Sequence, residues 1–182
     1  MILYRCFAWD RRAAPDQLGG ALWFPRDWQG DGRHDNPDVY GCLYLAEQPV
    51  SAVVEQLARF RGSVFVPQVL LRRGLPLALA TIALDDAAEL VDLDEPRILA
   101  AHALRPSAIA TRQRHVTQPQ ALALYRQGAD GIRWWSTFES LWMNVTAFEH
   151  AAQRLRLESI HKASLEDAAV REASEFLGIA PA

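Results

Sequence analysis

The chain has 182 residues, half of them hydrophobic and 23% charged, which suits one globular domain with a sizeable core. A formal net charge of -3 argues against a general nucleic-acid or membrane-surface binder. No basic leader precedes an apolar run, and no apolar stretch approaches about 18 residues, so neither a signal peptide nor a membrane span is predicted and a cytoplasmic location is expected.

In chain order, "ILYRCFAW" (2–9) alternates weakly and is rich in aromatics, which predicts a first strand. A loop-rich segment follows, within which only "ALWF" (21–24) reads as strand. The density of Gly, Asp, Asn and Pro over 25–41 marks a loop, ordered for function or mobile. "CLYLA" (42–46) is a compact apolar strand. Pro49 then opens a helix in which Val50, Val53, Val54, Leu57 and Phe60 recur at helical spacing. "SVFVPQVLL" (63–71), "LALATIAL" (77–84) and "AELVDL" (88–93) read as strands. Asp94 is placed to cap a short helix running to about Ala103. Thr117 begins a helix stopped by Gly128.

"GIRWWS" (131–136) reads as strand and turn, and "NVTAF" (144–148) as strand. Ser164 and Asp167, in capping-box-like spacing, open an amphipathic helix that ends at Gly178. Strands and helices alternate without a regular βαβ rhythm, so the class is mixed α+β. Cys6 and Cys42 lie in apolar runs and read as small buried hydrophobes rather than a disulfide framework. Lys162 is the only lysine, and arginine suits bidentate phosphate binding better than lysine does.

Several familiar signatures are missing. There is no G-x-G-x-x-G, no phosphate-loop motif, no G-x-S-x-G elbow, and no C-x-x-C or H-E-x-x-H, so no metal is expected. What remains is a spaced set of segments: "LYRCF" near the N-terminus, "GR" at 32–33, "LYLAEQPVSAVVE" at 43–55, and "GIRWWS" leading into "NVTAF". Arg33 and Tyr44 stand eleven residues apart, as do Tyr44 and Glu55.

Together these segments resemble the RES domain family over about residues 3 to 150. The resemblance implies a mainly antiparallel β core with flanking helices, ADP-ribosyltransferase-like, with the domain over 1–155 and a helical extension over 156–182. It implies an NAD+-consuming toxin that cleaves the nicotinamide–ribose bond by hydrolysis or phosphorolysis and is neutralised by an Xre-type antitoxin. NAD+ would be a substrate and no metal would take part. The partner would be that antitoxin, with the chain assembled as a toxin–antitoxin complex or as a homo-oligomer. Arg5 and Arg33 would hold the diphosphate, Tyr44 and Ser136 would place the nicotinamide riboside, and Glu55 would stabilise the transition state. His34 stands where the family more usually carries an aromatic ring after the glycine–arginine pair.

Each residue also has a plainer reading. Arg5 fits a solvent-facing place on an edge strand, Arg33 a solvated turn, and Tyr44 a core aromatic. Glu55 lies about 140° around the predicted helix from Val50, five steps of about 100°, away from the apolar stripe. Periodicity alone therefore makes it solvent-facing. Ser136 and Glu139 fit a capping box. Two other functions remain open: transfer of ADP-ribose to a protein, and a non-catalytic partner-binding protein on the same fold.

Overall fold

The computed structural model describes residues 1–180, so the last two residues of the expected extension lie outside it. In chain order the elements are β1 (Ile2–Ala8), β2 (Cys42–Ala46), α1 (Pro49–Leu57), β3 (Leu71–Arg72), β4 (Leu75–Leu84), β5 (Leu90–Asp92), α2 (Pro96–Ala101), α3 (Pro106–Ile109), α4 (Arg114–Arg126), β6 (Gly131–Trp135), β7 (Met143–Phe148), β8 (Leu155–Lys162) and α5 (Ala168–Leu177). The chain divides into two units. One holds Met1, Phe24–Leu45 and Leu84–Leu155; the other holds Ile2–Trp23, Ala46–Ala83 and the chain from Arg156 onward.

In the first unit the strand order is β2–β7–β6–β5. β6 and β7 run antiparallel from Gly131 opposite Ala147 to Trp135 opposite Met143, and β5 lies parallel to β6. All six residues of β7 are buried, which explains an apolar run interrupted only by Asn144 and Thr146. Leu99, Ile109, Ala121 and Leu124 from α2, α3 and α4 join Tyr40, Cys42, Ile132, Trp134 and Phe148 in one core cluster. Each fully buried large apolar side chain there stabilises by roughly 1.5–3 kcal/mol relative to exposure.

In the second unit β1 pairs antiparallel with β4 from Ile2 opposite Ala83 to Ala8 opposite Leu77, and β3 and β8 also pair with β4. α1 starts at Pro49, whose missing N–H costs nothing in a first turn. Its Val50, Val53, Val54 and Leu57 are buried, and it packs against β1 and α5. α5 answers with Val170, Ala173 and Leu177, and ends where Gly178 turns left-handed at φ 65°. The Ser164 N–H donates to Asp167 Oδ2 at 2.7 Å just ahead of this helix. The fold is thus α+β, with mixed and mainly antiparallel pairing and flanking helices, as the sequence predicts.

Four local expectations differ. "ALWF" is not a strand; the Leu22 N–H turns back to Pro15 O at 2.6 Å. Of 63–71 only Leu71 joins a strand, because Pro67 has no ladder donor and opens a 3-10 turn over Pro67–Leu70. The helix expected at Thr117 begins at Arg114, and Thr117 is buried with its hydroxyl turned to a loop carbonyl. The short helix after β5 is flanked by Glu95 rather than Asp94, whose N–H is held by Asp92 Oδ1 at 2.9 Å. β8 has no counterpart in the sequence reading.

Candidate functional site

The polar loop over 25–41 is hydrogen-bonded throughout its second half. The Gln29 side chain acts like a short strand against β2: its Nε2 donates to Cys42 O at 2.6 Å, and its Oε1 accepts from Cys42 N at 3.0 Å. From α4, Gln118 Nε2 donates to Gly30 O at 2.8 Å and Gly32 O at 2.9 Å. These bonds fix the backbone on which Arg33 sits.

The centre of the loop is Asp35, a buried carboxylate. Its Oδ2 accepts from Gly30 N at 2.8 Å and Gly32 N at 2.6 Å. Its Oδ1 accepts from the Tyr44 hydroxyl at 2.6 Å and, more weakly, from Cys42 Sγ at 3.5 Å. A Cβ on Gly32 would sit inside both carboxylate oxygens and the Tyr44 hydroxyl, closer than any real carbon approaches. That contact, rather than a special φ, explains the glycine of "GR".

Arg33 is buried, with 6% of its surface exposed, so the solvated-turn reading fails. Its Nη1 donates to Ile109 O at 2.7 Å and Thr111 O at 2.5 Å, and its guanidinium lies 4.7 Å from the Trp134 ring centre. Thr117 Oγ1 donates to Arg33 O at 2.5 Å. A guanidinium held by carbonyls on one edge and an indole on one face has a fixed plane.

Tyr44, half-buried on β2, accepts at its hydroxyl from His34 N at 2.9 Å while donating to Asp35. Burial, then the neighbouring Cys42 and Asp35, push its pKa well above the usual phenol value, so the hydroxyl stays protonated. Burial and Asp35 likewise raise the Cys42 thiol, which is inert as a nucleophile.

His34 fills the slot where an aromatic ring was anticipated. It is 4% exposed, edge-on to Trp134 at 5.2 Å and near-parallel to Tyr44 at 6.4 Å. Its Nδ1 lies 2.8 Å from Thr146 Oγ1, which also accepts from Trp134 Nε1 at 3.0 Å. Burial first, then Arg33 and Arg114, hold its pKa well below 6.5, and the ring is neutral.

Ser136 follows β6 and is buried; its N–H donates to Trp142 O at 2.7 Å and its Oγ accepts from Phe138 N at 3.1 Å. No helix follows it, so Ser136 and Glu139 form no capping box; Glu139 Oε1 instead accepts from Leu141 N at 3.2 Å.

In the second unit Arg5 lies on β1 opposite Ala80, half-buried rather than on an open edge. Its Nη1 donates to Ala21 O at 2.5 Å and Gly20 O at 3.3 Å, and its guanidinium lies 4.8 Å from the Phe7 ring centre. Glu55 lies on the exposed side of α1, as periodicity predicts.

Tyr44 is therefore joined to the loop that carries Arg33 through Asp35 and the His34 N–H, and Ser136 directly follows the strand whose Trp134 lies under Arg33. Asp35 and Thr146 escaped the sequence reading, and His34 was noted only as a departure. The polar run "GRHD" was the one available signal for Asp35 and His34. Among the described residues no group of three or more His, Cys, Asp or Glu could hold a metal ion, and no helix is long and apolar enough to cross a membrane.

Comparison with known proteins matches residues 2–168 to the family described as "RES domain". Among solved structures, the chain is similar to one in the crystal structure of the M. tuberculosis MbcT-MbcA toxin-antitoxin complex. That match has a TM-score of 0.66 and 18% identity, over 97% of this chain and 88% of that one. Comparison with curated proteins gave no match.

Proposed function

From this chain's membership of the RES domain family, we propose that it is an NAD+-consuming toxin, held in check by a protein antitoxin of the Xre type. The observation that carries the reading is the Asp35-centred set of bonds that fixes Arg33 and Tyr44 on one loop and strand. Family membership alone would leave those residues as positions in a pattern. The bonds make them pre-organised groups, which lowers the cost of ordering them around a ligand. The likeness to a chain from the MbcT-MbcA complex supports a partner of the antitoxin kind.

The reaction breaks the bond between the ribose C1″ and the nicotinamide nitrogen. The bonding pair leaves with the nicotinamide, which becomes neutral, and positive charge builds on C1″ and its ring oxygen. Water or inorganic phosphate then donates an oxygen pair to C1″, giving ADP-ribose and a proton, or ADP-ribose 1″-phosphate. Glu55 is assigned to the ribose hydroxyls and the developing positive charge, as carboxylates act in other oxocarbenium-like reactions. Arg5 and Arg33 are assigned to the diphosphate, where planar donors match phosphate oxygens. Tyr44 serves through its ring rather than its committed hydroxyl; an electron-rich face under cationic nicotinamide contributes roughly 0.5–2 kcal/mol. Ser136 is assigned a hydrogen bond to the nicotinamide riboside, not nucleophilic attack.

The test is to incubate partner-free protein with NAD+, with and without phosphate, and follow nicotinamide release. Wild type is expected to release it and Glu55→Ala to lose most of that activity. Equal inertness of both proteins in both buffers would overturn the reading. Label from adenine-labelled NAD+ appearing on a protein band would instead establish ADP-ribosyl transfer.

A further inference from the structure

The arrangement around Thr146 determines which nitrogen of His34 carries the proton. The Trp134 indole is a donor only, so Thr146 Oγ1 must accept from it. The hydroxyl has one proton of its own, and the remaining polar neighbour is His34 Nδ1 at 2.8 Å. If Nδ1 were protonated, Thr146 would accept twice and its own proton would have no acceptor among the described residues. The arrangement that satisfies every group is Trp134 N–H to Thr146, and Thr146 O–H to His34 Nδ1. That leaves the proton of the neutral imidazole on Nε2.

No described residue accepts from Nε2. Gln48 Oε1 is the one side-chain polar atom among the described residues that is fully buried with no partner. Nε2 is therefore not sealed in; it keeps contact with the space beside the ring. A nearly buried side chain whose other nitrogen is fixed, and whose last donor is neither partnered nor fully buried, has the form of a binding group.

We propose that His34, as the Nε2–H tautomer, is a specificity-determining donor that binds an uncharged oxygen of the dinucleotide substrate, either the nicotinamide carbonyl or a ribose hydroxyl. This rests on the NAD+ reading above. An uncharged acceptor is favoured over phosphate for a physical reason. A phosphate at Nε2 would draw a second proton onto the ring, and burial beside Arg33 and Arg114 opposes that. Among residue types that fill a ring slot, histidine adds a donor where phenylalanine would add none.

The test is nitrogen-15 NMR of the full chain. Wild type is titrated separately with nicotinamide and with ADP-ribose, and Glu55→Gln with NAD+, binding being followed in parallel by calorimetry. Before ligand, Nε2 is expected to be protonated and Nδ1 unprotonated. On NAD+ binding the Nε2 resonance shifts and its proton exchanges more slowly with solvent. A shift with nicotinamide alone identifies the carbonyl as acceptor, and a shift with ADP-ribose alone identifies the hydroxyl. In kinetics, His34→Phe raises KM for NAD+ by a few-fold to about tenfold, the size of one lost hydrogen bond, and His34→Gln recovers part of it. A proton on Nδ1, or calorimetric binding of NAD+ that leaves the His34 resonances unmoved, overturns the donor role alone. Absence of NAD+ binding by Glu55→Gln together with absence of nicotinamide and ADP-ribose binding by wild type removes the parent reading and this role with it.

Discussion

The Tyr44 hydroxyl reaches Asp35 Oδ1 at 2.6 Å, so the phenol on strand β2 and the carboxylate in the polar loop are one hydrogen-bonded unit. The other oxygen of that carboxylate holds the backbone on either side of Asp31, at Gly30 and Gly32. Replacing Asp35 by Asn keeps the shape but turns one acceptor into a donor. Facing Gly30 and Gly32 the amide nitrogen meets two N–H donors, and facing Tyr44 it leaves the phenol proton without its acceptor. Asp35→Asn is expected to lose about 1–3 kcal/mol of stability by chemical denaturation and to weaken NAD+ binding. An unchanged denaturation midpoint would remove Asp35 from its organising role.

Tyr44→Phe separates ring from hydroxyl. It leaves the aromatic face in place, removes a donor from Asp35 Oδ1 and an acceptor from His34 N, and is expected to cost about 1–2 kcal/mol in a thermal or denaturant melt. NAD+ turnover by the folded variant is expected to stay within several-fold of wild type, whereas Tyr44→Ala loses it. Turnover abolished in Tyr44→Phe would transfer the role from the ring to the hydroxyl.

Gly32→Ala forces a methyl into the Asp35 carboxylate and the Tyr44 hydroxyl. The loop must shift, at a cost of about 1–3 kcal/mol as for other overpacked sites. A shifted loop carries Arg33 with it, so NAD+ affinity measured by calorimetry should fall together with stability. Loss of stability with intact affinity would separate the glycine from the site.

The neutral His34 makes stability depend on pH. Its folded pKa lies well below the ordinary 6.5, so between those two values the unfolded chain binds a proton that the folded chain refuses. Stability is therefore fully present above about pH 6.5 and declines as pH falls towards the folded value, by up to about 1.4 kcal/mol per pH unit. His34→Gln should flatten that part of the profile in denaturation series run between neutral and mildly acidic pH. Parallel profiles for variant and wild type would place the titrating group elsewhere.

The elements legible in the sequence are those whose pattern is local. α1 and α5 carry their apolar stripes at helical spacing with Pro49 and Gly178 at their ends, and β2, β6 and β7 are short apolar runs bounded by turn residues. β8 was not legible because its burial pattern is mostly exposed and its reason for being extended is pairing with β4, far away in sequence. The start of α4 misled because Thr117 looks like a helix cap, yet its hydroxyl serves Arg33 O in the loop. At the site, Arg33 and Tyr44 came from resemblance and spacing. Asp35 was invisible because a buried carboxylate amid Gly, Asn and Pro has the composition of an ordinary turn. Its partner Tyr44 lies nine residues on, at no period that helix or strand would suggest.

Thr146 gives the buried strand β7 a direction. With the Nε2–H tautomer proposed for His34, the Thr146 hydroxyl accepts from Trp134 and donates to His34, so polarisation along the three side chains runs one way, from indole to imidazole. Whatever draws on the far end of the imidazole is felt at the near end as a change in the indole N–H. The protein thus carries its own occupancy gauge: the Trp134 Nε1–H signal, from a side chain 95% shielded from solvent, should register a ligand that never touches that tryptophan's nitrogen.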